Sequence, residues 1–182
     1  MASTPTARDR ILAAFEELLA EQSERAATLD AVAARAGVSK GGLLYHFGSK
    51  DALVDGVLAR LAEHAERDLA AMRAAPEGPV AYFIRTSVPA ADDQLERSIV
   101  AVARLAQSAD PRARDALAAM QRGWIDVLEE TVGDPLVART IMLIGDGMYY
   151  NAALLPDAST VLRDETDMNR LIELVQRLAR RD

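Results

Sequence analysis

The sequence predicts an all-α chain of about nine helices, and three observations carry that prediction. Across 182 residues no stretch alternates apolar and polar side chains in the manner of a strand; apolar residues recur three and four positions apart instead. The breaks between these periodic stretches are helix punctuation. Gly78-Pro79, Asp110-Pro111 and Asp134-Pro135 put proline at a first helical position, and Gly37 and Gly133 stand just past a last turn. Third, residues Thr28 to Leu53, TLDAVAARAGVSKGGLLYHFGSKDAL, spell two short helices across a sharp turn and the start of another, a helix-turn-helix.

The first helix is predicted from Thr6 or Ala7 to Ala20. Thr6 and Asp9 form its capping box, and Ile11, Leu12, Phe15, Leu18 and Leu19 its buried stripe. Thr28 caps the second, whose stripe is Leu29, Val32, Ala33 and Ala36; Gly37 ends it and Val38 fills the corner. Ser39 caps the third helix, in which Leu43 and Phe47 point inward while Lys40, Gly41, Gly42, Tyr45 and His46 are left for other faces. Gly48 is expected to break it. Ser49 then caps a fourth helix with Asp51 in its first turn, running to about Ala75 before Pro76 with Leu53, Val57, Leu61, Ala65 and Met72 on one side. Such a helix is roughly 40 Å long.

A fifth helix carries Tyr82, Phe83 and Ile84 and closes near Val88-Pro89. A sixth starts at Asp92 or Asp93 and reaches about Gln107. The seventh carries Leu117, Met120, Trp124, Val127 and Leu128 as far as Gly133. The eighth runs to about Leu154 and shows two apolar stripes, one through Met142, Asp146, Tyr149 and Ala153, the other through Ile141, Ile144 or Gly145, Met148, Ala152 and Leu155. Two such faces imply two burials. After a polar loop from Pro156 to Glu165, Thr166 or Asp167 begins a ninth helix with Met168, Leu171, Ile172, Val175 and Leu178.

The formal charge of −7 disfavours a uniformly basic nucleic-acid binder, so any such contact must be local. Arg35, Lys40 and Lys50 are the only basic residues between Thr28 and Leu53, with no acid between Asp30 and Asp51, which makes the turn and third helix a candidate basic patch for phosphate. The chain has no cysteine and no apolar run of membrane length, which fits a cytoplasmic protein. Its two histidines, His46 and His64, lack the spacing of metal ligands or a nucleophile's base. No catalytic residue, metal or cofactor is therefore expected.

The segment AGVSKGGLLYHFGSKDAL resembles the DNA-binding signature of the tetracycline-repressor (TetR) family of bacterial transcriptional regulators, over about Arg8 to Leu61. It departs at Leu44, where an aromatic often precedes the tyrosine, so that Tyr45 serves alone. The resemblance implies a DNA-binding domain over residues 1–50 and an effector-binding and dimerisation domain over 51–182. Thr28, Tyr45 and Lys50 would meet phosphates of a double-stranded operator, and Lys40, Gly42 and His46 would lie nearer base edges, with Ser39 and Gly41 in the same interface.

It also implies a homodimer through the last two helices, assigned here to Ile141, Met148, Leu171, Ile172, Val175 and Leu178. A small-molecule effector would sit among Tyr82, Phe83, Arg104, Met120, Trp124, Met142, Asp146 and Tyr149, where aromatics and methionines concentrate beside isolated polar groups. The function implied is a repressor released from an inverted-repeat operator by that effector. Two other readings stay open: a ligand-independent DNA-binding protein, and a helical ligand-binding module whose DNA-reading tip has degenerated, which Leu44 keeps alive.

Overall fold

The computed structural model describes residues 5–88, 90, 93–154 and 164–179, with the side chain of Leu154 left out. Among them lie nine helices and no strand: α1 (Ala7–Glu21), α2 (Leu29–Ala36), α3 (Lys40–His46), α4 (Lys50–Ala74), α5 (Pro79–Thr86), α6 (Gln94–Gln107), α7 (Pro111–Val132), α8 (Pro135–Leu154) and α9 (Glu165–Ala179). The expected stop at Pro89, the start at Asp92 and the loop from 156 to 163 fall outside the described residues, as does Leu155 of the second α8 stripe. The chain packs as two compact units. Unit 1 takes residues 1–65 and 94–119, unit 2 residues 66–93 and 120–182, so α4 and α7 each contribute to both.

Local chemistry sets the helix ends. Thr6 and Asp9 exchange the two hydrogen bonds of a capping box, at 3.2 and 3.0 Å. Asp134 accepts from the amides of Leu136 and Val137, at 2.9 and 3.3 Å, and so caps α8. α9 starts earlier than its apolar pattern implies, because Asp164 accepts from the Asp167 amide at 3.0 Å and caps it from outside that pattern.

In unit 1 the predicted stripes are buried: Ile11, Leu12, Phe15, Leu18 and Leu19 of α1 and Leu53, Val57 and Leu61 of α4. Gly56 lets α4 approach closely, since a Cβ there would lie 2.8 Å from a Leu12 methyl and 3.0 Å from the Phe47 ring. A charge is buried with this apolar surface. Glu16 of α1 pairs with Arg60 of α4 at 3.0 Å and accepts a 3.0 Å hydrogen bond from the Ser98 hydroxyl of α6. Ser98 spends its one proton on Glu16, so its 3.0 Å contact with Nδ1 of His64 has the imidazole N–H donating.

Unit 2 is apolar. Met72, Ile84, Val127, Leu128, Ile141, Ile172 and Val175 form its centre, with Leu69, Tyr82, Trp124 and Leu171 partly buried against it. Both sequence-predicted stripes of α8 turn into this core: Ile141, Met142, Gly145 and Met148 are buried. The surplus apolar face is a third one. Leu136, Leu143 and Tyr150, seven residues apart, are exposed at 70, 70 and 62 %.

Candidate nucleic-acid interface

The α2–α3 corner forms as its caps dictate. Thr28 accepts from the Ala31 amide at 3.2 Å, Gly37 takes the left-handed conformation at φ 65°, and Ser39 accepts from the Gly42 amide at 3.0 Å. That last bond draws the Gly42 backbone so close to Ser39 that a Cβ would lie 3.3 Å from its Oγ, a capping reason for glycine at this position. Leu43 and Phe47 are buried and anchor the short helix. The helix stops at His46, since Phe47 is already extended at φ −138° with its ring buried. Gly48, expected as the breaker, lies outside the left-handed region.

Lys40, Gly41, Leu44, Tyr45 and His46 consequently share the outward surface of α3, Tyr45 being 86 % exposed with its ring edge-on to His46 at 5.2 Å. Thr28 and Ser39 are also exposed, and because both hydroxyls act as acceptors in their caps, their protons stay available to a partner. Lys50 opens α4, capped by Ser49, which accepts from the Ala52 amide at 3.1 Å.

The basic patch read from the linear sequence does not form. Acids distant in sequence arrive by folding: Arg35 pairs with Glu17 and Glu21 at 3.1 and 2.8 Å, Lys40 with Asp30 at 3.0 Å, and Lys50 with Glu24 at 3.5 Å. Lys50 also donates to the Glu24 carbonyl oxygen. Two cations that the motif did not signal stand near this segment. The Arg8 guanidinium lies over the Phe47 ring at 5.2 Å, and Arg112 pairs with Asp51 and Asp55 of α4 at 2.7 and 2.9 Å as well as with Asp110. The Ser98–His64 contact is no nucleophile arrangement, because the serine is fully buried and donates to Glu16.

The expected effector residues divide. Seven lie in unit 2; Arg104 is in unit 1, exposed on α6, with a 3.4 Å hydrogen bond to Gln107. Phe83, Met120 and Met142 are buried, while Tyr82, Trp124, Asp146 and Tyr149 are half-buried. Asp68, which the sequence reading passed over, organises two of them: its carboxylate accepts from the Tyr82 hydroxyl and from Nε1 of Trp124, both at 2.8 Å. Burial and the Asp68 carboxylate push the Tyr82 phenol well above its ordinary value. The rings of Phe83 and Trp124 meet edge to face at 6.1 Å. Burial alone raises the Asp146 carboxyl.

Of the six residues expected to meet a partner subunit, Ile141, Met148, Ile172 and Val175 are buried within this chain, Leu171 is half-buried and Leu178 is exposed.

A family model described as bacterial regulatory proteins, tetR family, matches residues 11–57, and one described as tetracyclin repressor-like, C-terminal domain, matches residues 77–176. No curated protein sequence matches. Among solved structures, the fold is shared with a putative TetR-family transcriptional regulator from a Rhodococcus species (TM-score 0.68, 21 % identity, 96 % of this chain and 99 % of that one). It is shared equally with TetR-family member SCO1917 from Streptomyces coelicolor A3 (0.68, 24 %, 96 % and 98 %). A third is the multidrug binding protein EbrR complexed with malachite green (0.68, 22 %, 96 % and 98 %).

Proposed function

Because the chain belongs to the TetR family of bacterial regulatory proteins, we propose that it works as a homodimeric repressor that a small molecule releases from an inverted-repeat operator. Members of this family are DNA-binding regulators and not enzymes. The observation that carries the reading is the outward surface of α3, with Tyr45 86 % exposed above the buried anchors Leu43 and Phe47. A solvated tyrosine on a short capped helix, next to a lysine that opens the following helix, suits a helix set into a major groove with phosphates at its ends.

We assign Thr28, Tyr45 and Lys50 to phosphates and Lys40, Gly42 and His46 to the neighbourhood of base edges, with Ser39 and Gly41 lining the approach. Residues 1–50 then read DNA and 51–182 bind effector and partner, in the cytoplasm. For the effector we retain Tyr82, Phe83, Met120, Trp124, Met142, Asp146 and Tyr149, with Asp68 positioning Tyr82 and Trp124. EbrR, similar in fold, holds malachite green, which supports a small-molecule role for this domain.

The dimer contact is reassigned. Side chains already buried in one chain offer nothing to another, so the exposed Leu136, Leu143 and Tyr150 of α8, with Leu174 and Leu178 of α9, take the place of Ile141, Met148, Ile172 and Val175. A symmetric pair presents two α3 helices at about one DNA turn, roughly 34 Å, or a multiple of it. An effector that prefers the DNA-incompetent arrangement by about 1.4 kcal/mol lowers operator affinity tenfold.

A gel shift on DNA flanking the protein's own gene, repeated across a salt series, tests the interface. Lys50→Ala should weaken binding and reduce the salt slope by about one unit, and Tyr45→Phe should weaken it less, with both variants still folded in thermal melts. Parent-like binding by both variants would remove the assigned docking face.

A further inference from the structure

Lys40 and Lys50, the two lysines assigned to DNA, are each held by a carboxylate of their own unit, and the two pairs differ in how firmly they are closed. Lys40 meets Asp30 at 3.0 Å with side chains 55 and 71 % exposed, a pair standing in water. Lys50 meets Glu24 at 3.5 Å with side chains 33 and 35 % exposed, and is tethered further by the Glu24 carbonyl oxygen. Arg35 forms a third cluster, clasped by Glu17 and Glu21, with two hydrogen bonds to Glu21 alone. The cations of the α2–α3 segment thus face the solvent already matched by acids.

We propose that Asp30 and Glu24 are intramolecular stand-ins for DNA, Glu24 for the phosphate at Lys50 and Asp30 for the acceptors at the groove edge beside Lys40, in contacts that DNA must loosen and that thereby set how tightly the protein holds DNA. The inference rests on the reading of α3 as the DNA-facing helix. A carboxylate at 3.0 Å takes some of the three ammonium hydrogens and offsets the charge that DNA would otherwise meet, so the two compete for the lysine. Solvent-exposed ion pairs of this kind are worth at most about a fivefold factor each, so they yield to phosphate and do not block it. Once displaced, the acid remains beside the incoming phosphate and repels it, which adds to the cost of exchange. Phosphates carry no sequence information, so the Glu24 penalty falls equally on operator and bulk DNA, whereas the Asp30 penalty, at a lysine assigned to base edges, falls mainly on the operator. Arg35 is outside this exchange, since the two carboxylates of α1 that clasp it make it a brace between α1 and α2.

The test is fluorescence anisotropy with an end-labelled random-sequence duplex and, in parallel, DNA flanking the protein's own gene, over a salt series. Glu24→Gln should tighten both duplexes by about twofold at low salt, and Asp30→Asn should tighten the flanking DNA by about fivefold with a smaller gain on the random duplex, each gain shrinking as salt rises. Glu63→Gln is the control. It makes the same change in net charge on the exposed side of α4, about 20 Å along the helix from Lys50 and beyond two Debye lengths at physiological salt, where it should bind like the parent. Thermal melts establish that each variant is folded. Parent-like binding by Asp30→Asn and Glu24→Gln, or an equal gain from Glu63→Gln, overturns the proposal. Lys40→Ala and Lys50→Ala separate the two levels. If they weaken binding while the acid variants change nothing, only the stand-in role fails; if they bind like the parent, the DNA-facing reading fails with it.

Discussion

Unit 1 and unit 2 solve the burial problem in opposite ways. Unit 1 takes a carboxylate into its interior and satisfies it completely: Glu16 is 6 % exposed, yet Arg60 and Ser98 reach it from α4 and α6, and His64 secures Ser98 in turn. Unit 2 keeps its centre to methyls, thioethers and rings and places its polar bonds, such as those to Asp68, at the half-buried margin. Their surfaces are reversed as well. Beyond Leu44 and Tyr45 on α3, the large exposed apolar side chains among the described residues belong to unit 2: Val88, Leu136, Leu143, Tyr150, Leu174 and Leu178. A buried hydrogen-bonded charge tolerates one relative placement of three helices, which fixes the frame that carries α3. An apolar core beside an apolar outer face suits a unit that has another surface still to cover.

The comparison breaks most visibly if that outer face has no partner. Leu143→Glu puts a charge in the middle of the α8 stripe, and an unpaired charge buried at a contact costs about 3 kcal/mol or more, over a hundredfold in dissociation constant. Light scattering at micromolar concentration should show a dimer for the parent and a monomer for Leu143→Glu. Leu44→Glu, a matching change at an exposed leucine of unit 1, should leave the dimer intact. A monomeric parent would sink the assignment of the stripe.

The network of unit 1 should give the next largest effect. Glu16→Ala leaves Arg60 with a poorer partner, Asp9 at 3.6 Å, and should cost about 3 kcal/mol in a denaturant titration. Glu16→Gln keeps a polar partner, should cost less, and isolates the pH term. Burial pushes the Glu16 carboxyl above its usual 4.5, against the pull of Arg60 and Ser98. A carboxyl raised on folding binds its proton more tightly in the native chain, so it makes stability fall as pH rises from about 4.5 through the native value. Glu16→Gln should flatten that fall. Asp9 and Asp110, lowered on folding by the Thr6 cap and by Arg112, act the other way and lose stability as pH falls below about 3.8. That acid limb should survive the substitution.

Much of this organisation is legible in the sequence because caps and periodicity are local. Thr6, Thr28, Ser39, Ser49 and Asp134 cap the helices they announce, and every apolar position assigned to α1 is buried. The unit boundaries inside α4 and α7 have no local signal, since neither helix breaks there. Two polar residues were missed although the apolar period marks their places. Glu16 follows Leu12 by four and precedes Leu19 by three, and Asp68 falls between Ala65 and Met72 on the stripe of α4, so each is an acid where a core side chain is due.

Charge was the misleading part. Asp30 and Glu24 are ten and 26 residues from the lysines they hold, so the run without acids between Asp30 and Asp51 described the chain and not the surface. The stripes of α8 misled for another reason. Periodicity reports which residues are apolar, whereas the neighbours α5 and α9 decide which of three apolar faces is used up within one chain.

Helix glycines sharpen the comparison at its smallest scale, because they report how tightly each unit is closed. A Cβ on Gly145 would lie 2.5 Å from the Phe83 ring and 2.6 Å from the Ser87 hydroxyl oxygen, a rigid ring and a group hydrogen-bonded to the Phe83 carbonyl at 2.7 Å. Neither yields easily, and Gly145→Ala should cost about 1–3 kcal/mol. At Gly56 in unit 1 the nearest atom is a Leu12 methyl at 2.8 Å, with the edge of the Phe47 ring at 3.0 Å, so half of the obstruction can rotate away. Gly56→Ala should cost about 1 kcal/mol. At Gly123 the neighbours are all atoms of the Leu69 side chain, the nearest at 2.7 Å, and replacing glycine by alanine inside a helix returns about 1 kcal/mol of propensity. Those terms nearly cancel, so Gly123→Ala should leave the denaturation midpoint within about 0.5 kcal/mol of the parent. Measured together, the three should rank Gly145, Gly56, Gly123 from most to least costly. A Gly123→Ala variant as damaged as Gly145→Ala would mean that unit 2 is closed rigidly throughout and not only where Phe83 wedges against α8.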